Sequence, residues 1–285
     1  MIRGFCRHGI RALVALILLS IVAPSAFADH GWLLPECNSA EGDRADMLFW
    51  FIFALTGLTF VGTEGLLVYF IFKYRAKPGQ KAYFSHGNHK VEVIWTLIPA
   101  VILAVLAFLQ FGIWTDQKVP KKFLAKIEAS GEPWLEVHVL AKQFDWWFRY
   151  PGPDGVWDTA DDFTYSRLVV PQNRPVVLRL RSIDVIHSLY LPQLRFKQDL
   201  VPGMTVTGWF KARKPGTWEI ACAELCGESH YKMRGEYEVV AEEQWDTRYR
   251  QLQEQQGEID YLRPNEQFRF WPIEQREDEN EQENK

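Results

Sequence analysis

At 285 residues the chain has room for more than one structural unit. Its formal net charge of −4, from 32 Lys and Arg against 36 Asp and Glu, gives no footing for a nucleic-acid partner. There are only four cysteines and no C-x-x-C-H, which argues against a c-type haem attached to this chain.

In chain order, residues 1–28 read as a signal peptide. Arg3, Arg7 and Arg11 form a basic start, Ala12 to Val22 is a short apolar run, and Ser25-Ala26-Phe27-Ala28 offers small residues before a cut at Asp29. An uncleaved spanning helix is the alternative, and the run is short for one. Residues 29–46 carry Glu36, Glu41, Asp43 and Asp46, and Cys37 is an odd thiol without an assigned role. Residues 47–72 are apolar enough to cross a bilayer, as are residues 93–115. The loop between them, 73–92, carries Lys73, Arg75, Lys77, Lys81 and Lys90, so the positive-inside rule puts it in the cytoplasm. Both ends then face the periplasm. The chain reads as a multi-pass protein of a bacterial inner membrane, in contact with lipid, with its C-terminal domain outside.

Two acids sit on these helices. Glu64 lies within the first apolar run, where an ionisable side chain is costly. It predicts a partner in a neighbouring subunit or a protonated carboxyl, the alternative being an interface position from which it snorkels. Glu92 opens the second helix in VEVIWTLIPA, a position that the helix macrodipole favours for an acid. Pro99 predicts a kink.

Residues 116–243 form the domain outside. From Trp134 to Ala241, stretches such as LEVHVLAK, PVVLRLRS and GTWEIACAE alternate β-branched and aromatic residues between Pro, Gly and Asp signals. Closely spaced strands of this kind predict a β-sandwich or barrel. PGPDGVWDTADDF, with Asp154, Asp158, Asp161 and Asp162, reads as a solvated hairpin tip. Calcium binding and the docking of a basic partner are its alternatives. Residues 244–285 read as a polar, partly disordered tail ending in EQREDENEQENK.

The chemistry concentrates in CAELCGESHYKM, which spaces Cys222-x3-Cys226-x3-His230-x2-Met233, with His187 35 residues upstream of Cys222. Thiolate and thioether sulfurs combined with imidazole select copper. One blue copper ion needs a single Cys, so the second thiolate suggests two coppers bridged by both sulfurs. A disulfide and a zinc site are the alternatives, and zinc has no use for Met233. Asp184, three residues before His187, is a candidate to orient that imidazole.

At these residues a family becomes visible. IHSLYLPQLRFKQDLVPG and PGTWEIACAELCGESHYKMRG closely resemble subunit II of the haem-copper cytochrome c oxidases, over about residues 45–241. The resemblance implies an α+β membrane protein: a transmembrane helical hairpin followed by an all-β cupredoxin-like Greek-key barrel. It implies a binuclear CuA centre held by His187, Cys222, the backbone carbonyl of Glu224, Cys226, His230 and Met233. It further implies that Glu224 helps to bind magnesium at the boundary with subunit I, with Asp199 near the same interface.

Glu92 resembles the acid at the cytoplasmic mouth of the proton pathway called the K channel. QFDWWFRY resembles the aromatic stretch through which electrons arrive, with Phe144 where the family has a tryptophan and with Trp146 and Trp147 following. The aspartate insert is a further departure from the family pattern. The implied partners are subunit I, subunit III and a c-type cytochrome donor. The implied activity is cytochrome-c oxidase, with the oxygen chemistry in subunit I. A membrane-anchored single-copper cupredoxin or copper carrier, and a quinol oxidase subunit II without copper ligands, are the rival readings.

Overall fold

The computed structural model describes residues 34–159 and 161–256. The expected signal peptide and the tail beyond residue 256 lie outside them.

Helix α1 covers Ala40–Lys73 and α2 covers His89–Lys118. Each begins upstream of the apolar run that announces it, because a capping side chain sits there. Ser39 accepts from the amide of Gly42, and Asn88 accepts from that of Val91. Both helices are long and apolar enough to cross a membrane. Large apolar side chains stay exposed along them, among them Leu58, Phe60, Leu103 and Phe108. Such a surface suits a chain anchored in lipid and packed against other membrane segments.

Helix α3, Pro120–Ser130, starts on a proline and ends at Gly131, whose φ of 65° gives a left-handed C-cap. Phe123 and Ile127, one turn apart, bury against Val177 and Trp209 of the β domain.

That domain consists of ten strands: β1 Leu135–Lys142, β2 Asp145–Tyr150, β3 Phe163–Tyr165, β4 Leu168–Pro171, β5 Pro175–Ser182, β6 His187–Leu191, β7 Phe196–Leu200, β8 Val206–Lys211, β9 Gly216–Cys222 and β10 Arg234–Val240. They form two five-stranded sheets, ordered β3-β2-β1-β5-β8 and β4-β10-β9-β6-β7. The pairs β1–β5 and β4–β10 are parallel, and every other pair is antiparallel. Val139, Phe148, Leu178, Leu189, Ile220 and Tyr237 fill the space between the sheets. Tyr150 is fully buried with its hydroxyl satisfied, donating to the carbonyl of Val169 and accepting from its amide. A helical hairpin followed by a cupredoxin-like β domain is therefore the architecture.

Two expectations gain detail. The polar tail from residue 244 opens with a helix. Helix α4, Trp245–Gln256, sets Trp245, Tyr249 and Leu252 on one face against the core. Tyr249 donates to the carbonyl of Pro151 at 2.6 Å. Three apolar residues at i, i+4 and i+7 suffice to dock a helix that is otherwise polar.

The aspartate insert is solvated at its tip, as expected, but it is anchored at its base. Arg149, buried on β2, donates to Asp158 at 2.9 Å and to Asp162 at 2.6 Å. Asp162 also accepts from the amides of Gly152 and Asp158. Trp157 lies flat on the His138 ring, 3.6 Å between centroids and 5° between planes. A buried guanidinium thus organises the loop, and of the four aspartates only Asp162 is buried, while Asp154, Asp158 and Asp161 keep the expected exposure.

Residues preceding α1 run along the β domain. The amide of Asn38 donates to the carbonyl of Gln193 and the amide of Arg213 to the carbonyl of Asn38. Cys37, half-buried beside them, donates to the carbonyl of Ser39 at 3.3 Å.

Candidate metal centre

Two loops at one end of the sandwich carry the donor atoms. His187 is the first residue of β6 and Cys222 the last of β9, and the two strands pair with Leu189 opposite Cys222. The register therefore brings the two residues side by side. The remaining donors lie in the β9–β10 connection, which the amide of Cys222 closes by donating to the carbonyl of Met233 at 3.2 Å. The amide of Ala223 ties that connection to the carbonyl of Ser188 at 2.9 Å.

The sulfurs of Cys222 and Cys226 stand 3.8 Å apart, both as free thiols. Cys222 Sγ lies 3.9 Å from His187 Nδ1 and 3.3 Å from the carbonyl oxygen of Glu224. Cys226 Sγ lies 3.4 Å from His230 Nδ1 and 3.7 Å from Met233 Sδ. His187 Nδ1 and Met233 Sδ are 3.1 Å apart. Each thiol therefore sits between one imidazole and one weaker donor. The ligand atoms of His187, Cys222 and Cys226 all fall within 4.8 Å of one another, a group able to hold a metal ion. His187, Cys226 and Met233 are buried, whereas Cys222 and His230 are half-buried.

Electrostatics favour a charged sulfur here. Burial pushes the Cys222 thiol up, but hydrogen bonds from His187 and from the Ser188 and Glu224 backbone outweigh it and hold the thiol well below its ordinary range. Burial and the Cys222 charge push the Cys226 thiol up. Asp184 Oδ1 meets His187 Nε2 at 2.8 Å, which leaves Nδ1 turned toward the sulfurs. Asp184 is itself held by the amides of Gln143 and Val185 at 2.6 and 2.7 Å.

Other candidate residues take separate places. Phe144 is half-buried in the β1–β2 turn, and Trp146 is buried with its ring edge-on to His187, 6.2 Å between centroids. Trp147 lies beneath the Lys142 amine, 5.4 Å from it. The side chain of Glu224 is exposed. Asp199 accepts from Ser188 at 2.7 Å and from Lys197 at 3.1 Å. Glu92, in the first turn of α2, is exposed with His89 at 3.9 Å, and Glu64 is exposed on α1; neither joins the cluster. The sequence reading passes over Gln143 and Ser188, whose contacts with the cluster depend on strand pairing and leave no local motif.

Comparison with known proteins gives a consistent family. Residues 28–113 match the transmembrane domain, and residues 161–240 the periplasmic domain, of cytochrome c oxidase subunit II. The alternative cytochrome c oxidase subunit 2 of Bradyrhizobium diazoefficiens is 32% identical over 259 residues, covering 80% of this chain and 88% of the relative. Cytochrome c oxidase subunit 2 of a Synechocystis strain is 27% identical, covering 81% of this chain and 78% of the relative. Among solved structures, the periplasmic domain of subunit II of cytochrome oxidase of Bradyrhizobium japonicum is 28% identical with a TM-score of 0.38, covering 43% of this chain and 95% of that one.

Proposed function

The chain belongs to the cytochrome c oxidase subunit II family and functions as subunit II of a haem-copper oxidase, and on that footing we propose that its β domain is the electron-accepting module, built around binuclear copper. The ligands are His187, Cys222, the carbonyl of Glu224, Cys226, His230 and Met233. The observation that carries this reading is the placement of each thiol between one imidazole and one weaker donor. Two sulfurs flanked in this way, with two imidazoles, a thioether and a carbonyl, would supply enough donors to hold a pair of copper ions. The mixture of thiolate, imidazole and thioether suits copper.

When bound, the copper pair supplies a one-electron carrier whose charge is spread over two metals and two sulfurs. The protein's part is to keep the donors still as the charge changes. Sheet pairing fixes His187 and Cys222, Asp184 fixes the His187 ring, and the backbone hydrogen bond from Cys222 to Met233 closes the loop. Electrons arrive singly from a c-type cytochrome, with Phe144 and Trp146 as the aromatic route beside the cluster. They pass to haem in subunit I, where oxygen is reduced to water and protons are translocated. Glu92 gathers protons at the cytoplasmic end of α2. Glu224, whose side chain is exposed, would bind magnesium together with subunit I, with Asp199 near the same interface. The β domain stands in the periplasm, and subunit III completes the assembly.

A single-copper carrier leaves one of the two thiols without a task, and a quinol oxidase subunit needs neither. The test is metal analysis with electron paramagnetic resonance on the full chain purified in detergent. Two coppers per chain with a mixed-valence spectrum are expected. One copper with a free thiol, a disulfide between Cys222 and Cys226, or bound zinc overturns the reading.

A further inference from the structure

Gln143 is absent from the donor set, yet it touches the surroundings of two donors at once. It stands in the turn between β1 and β2, a third loop that contributes no ligand. Its backbone amide donates to Asp184 Oδ2 at 2.6 Å, and Asp184 uses its other oxygen to hold His187 Nε2 at 2.8 Å. Its side-chain Nε2 donates to the carbonyl of Cys226 at 2.7 Å. One residue therefore spans from the loop that carries His187 to the loop that carries Cys226.

The sequence makes room for this reach. Gly227 follows Cys226 at a φ of 134°, a left-handed conformation that favours glycine. A Cβ at this position would come within 2.7 Å of Gln143 Nε2 and 3.2 Å of the Phe144 ring. The missing side chain of Gly227 is the space in which the Gln143 amide meets the loop.

We propose that Gln143 is a positioning residue of the metal centre, bracing its two ligand-bearing loops against each other through Asp184 on one side and the Cys226 carbonyl on the other. The inference rests on the copper reading above. Hydrogen-bond partners of metal ligands typically change metal affinity 10- to 100-fold when removed. The backbone half of the brace survives substitution, so side-chain variants isolate the bond to Cys226.

Two variants grade that bond. Gln143→Met keeps the length of the side chain and loses the donor. Gln143→Glu keeps the shape and sets a carboxylate against the carbonyl. Both are made in the full chain in detergent, loaded with copper. The readouts are the copper hyperfine splitting in electron paramagnetic resonance and the rate of copper release to a chelator, with thermal melting as the control for folding. Release about 10-fold faster for Gln143→Met, faster still for Gln143→Glu, and an altered hyperfine splitting in both support the brace. If the unmodified chain holds two coppers and whichever variants fold match it in splitting and release, the positioning role is overturned and the copper reading stands. If the unmodified chain does not hold a copper pair, the copper reading itself fails and the inference falls with it.

Discussion

Arg195 grips Asp46 with two parallel hydrogen bonds, Nε to Oδ1 at 2.6 Å and Nη2 to Oδ2 at 2.9 Å. The same guanidinium donates to the carbonyls of Pro35 and Pro192. Arg195 lies between β6 and β7, close in sequence to His187, and Asp46 lies in the second turn of α1. The fork thus joins the β domain to the membrane anchor, at the end of the β6–β7 hairpin opposite to His187.

Replacing Arg195 by Ala is expected to weaken the attachment of residues 34–46 by about 2 kcal/mol, the range of a hydrogen bond to a charged group. Amide hydrogen exchange across that segment reads the effect. Because the two residues form one fork, Asp46→Ala made on top of Arg195→Ala should add little. Additive losses would mean that the pair contributes nothing as a pair. Arg195→Lys keeps the charge without the fork and should recover only part of the stability.

On the paired-copper reading proposed above, Cys222 and Cys226 would each be shared by both metals. Changing either one to Ser is expected to abolish the mixed-valence signal altogether instead of halving it. Copper analysis and electron paramagnetic resonance on the full chain check this. A serine variant that keeps the complete two-copper spectrum would count against shared thiols.

The insert after β2 hangs on the Arg149–Asp162 pair, whose side chains are 6% and 0% exposed. Asp162→Asn leaves a buried guanidinium short of its counter-charge. Loss of one partner of a buried pair costs about 3–5 kcal/mol. Asp158 still faces Arg149, so a value near 3 kcal/mol is expected from chemical denaturation of the β domain. Asp154→Asn, on an exposed carboxylate, should leave the midpoint unchanged.

His138 provides a pH dependence. Burial holds its imidazole below the usual histidine range, and the charges of Arg149 and Arg179 add to this against the opposing pull of Glu136. Above the unfolded histidine value, His138 is neutral in both states and stability is independent of this group. Below about pH 6.5 the unfolded chain takes up the proton while the folded chain resists, so stability falls as pH drops through that value. Denaturation midpoints measured from pH 8 to pH 5 should show this slope, and His138→Gln should flatten it. An equal slope in the variant would assign the effect to other groups.

The parts of this molecule that are legible in the sequence are those whose information is local. The two apolar runs announce α1 and α2, although Ser39 and Asn88 set where the helices begin. Cys222, Cys226, His230 and Met233 converge because they share one short loop, and spacing reveals such a cluster. Asp184 is legible for the same reason, three residues from His187. Gln143 is not, since its hydrogen bonds reach Asp184 and Cys226 across 41 and 83 residues of chain. Arg149 hides as well. In DWWFRY it reads as one polar residue in an aromatic strand, yet it decides the conformation of the aspartates that follow. Helix α4 is masked by composition, because Trp245, Tyr249 and Leu252 are few among polar neighbours and make a face only once the turn of the helix is drawn.

Helix α1 has 34 residues, which at 1.5 Å each makes about 51 Å, against a hydrocarbon layer about 30 Å thick. Its surplus is rigid, and its upper end is clamped to the β domain by Asp43 and Asp46. The helix thereby works as a pylon. It sets the altitude of the sulfur cluster over the lipid. Inserting or deleting residues in that upper stretch would alter this height while leaving every donor atom in place.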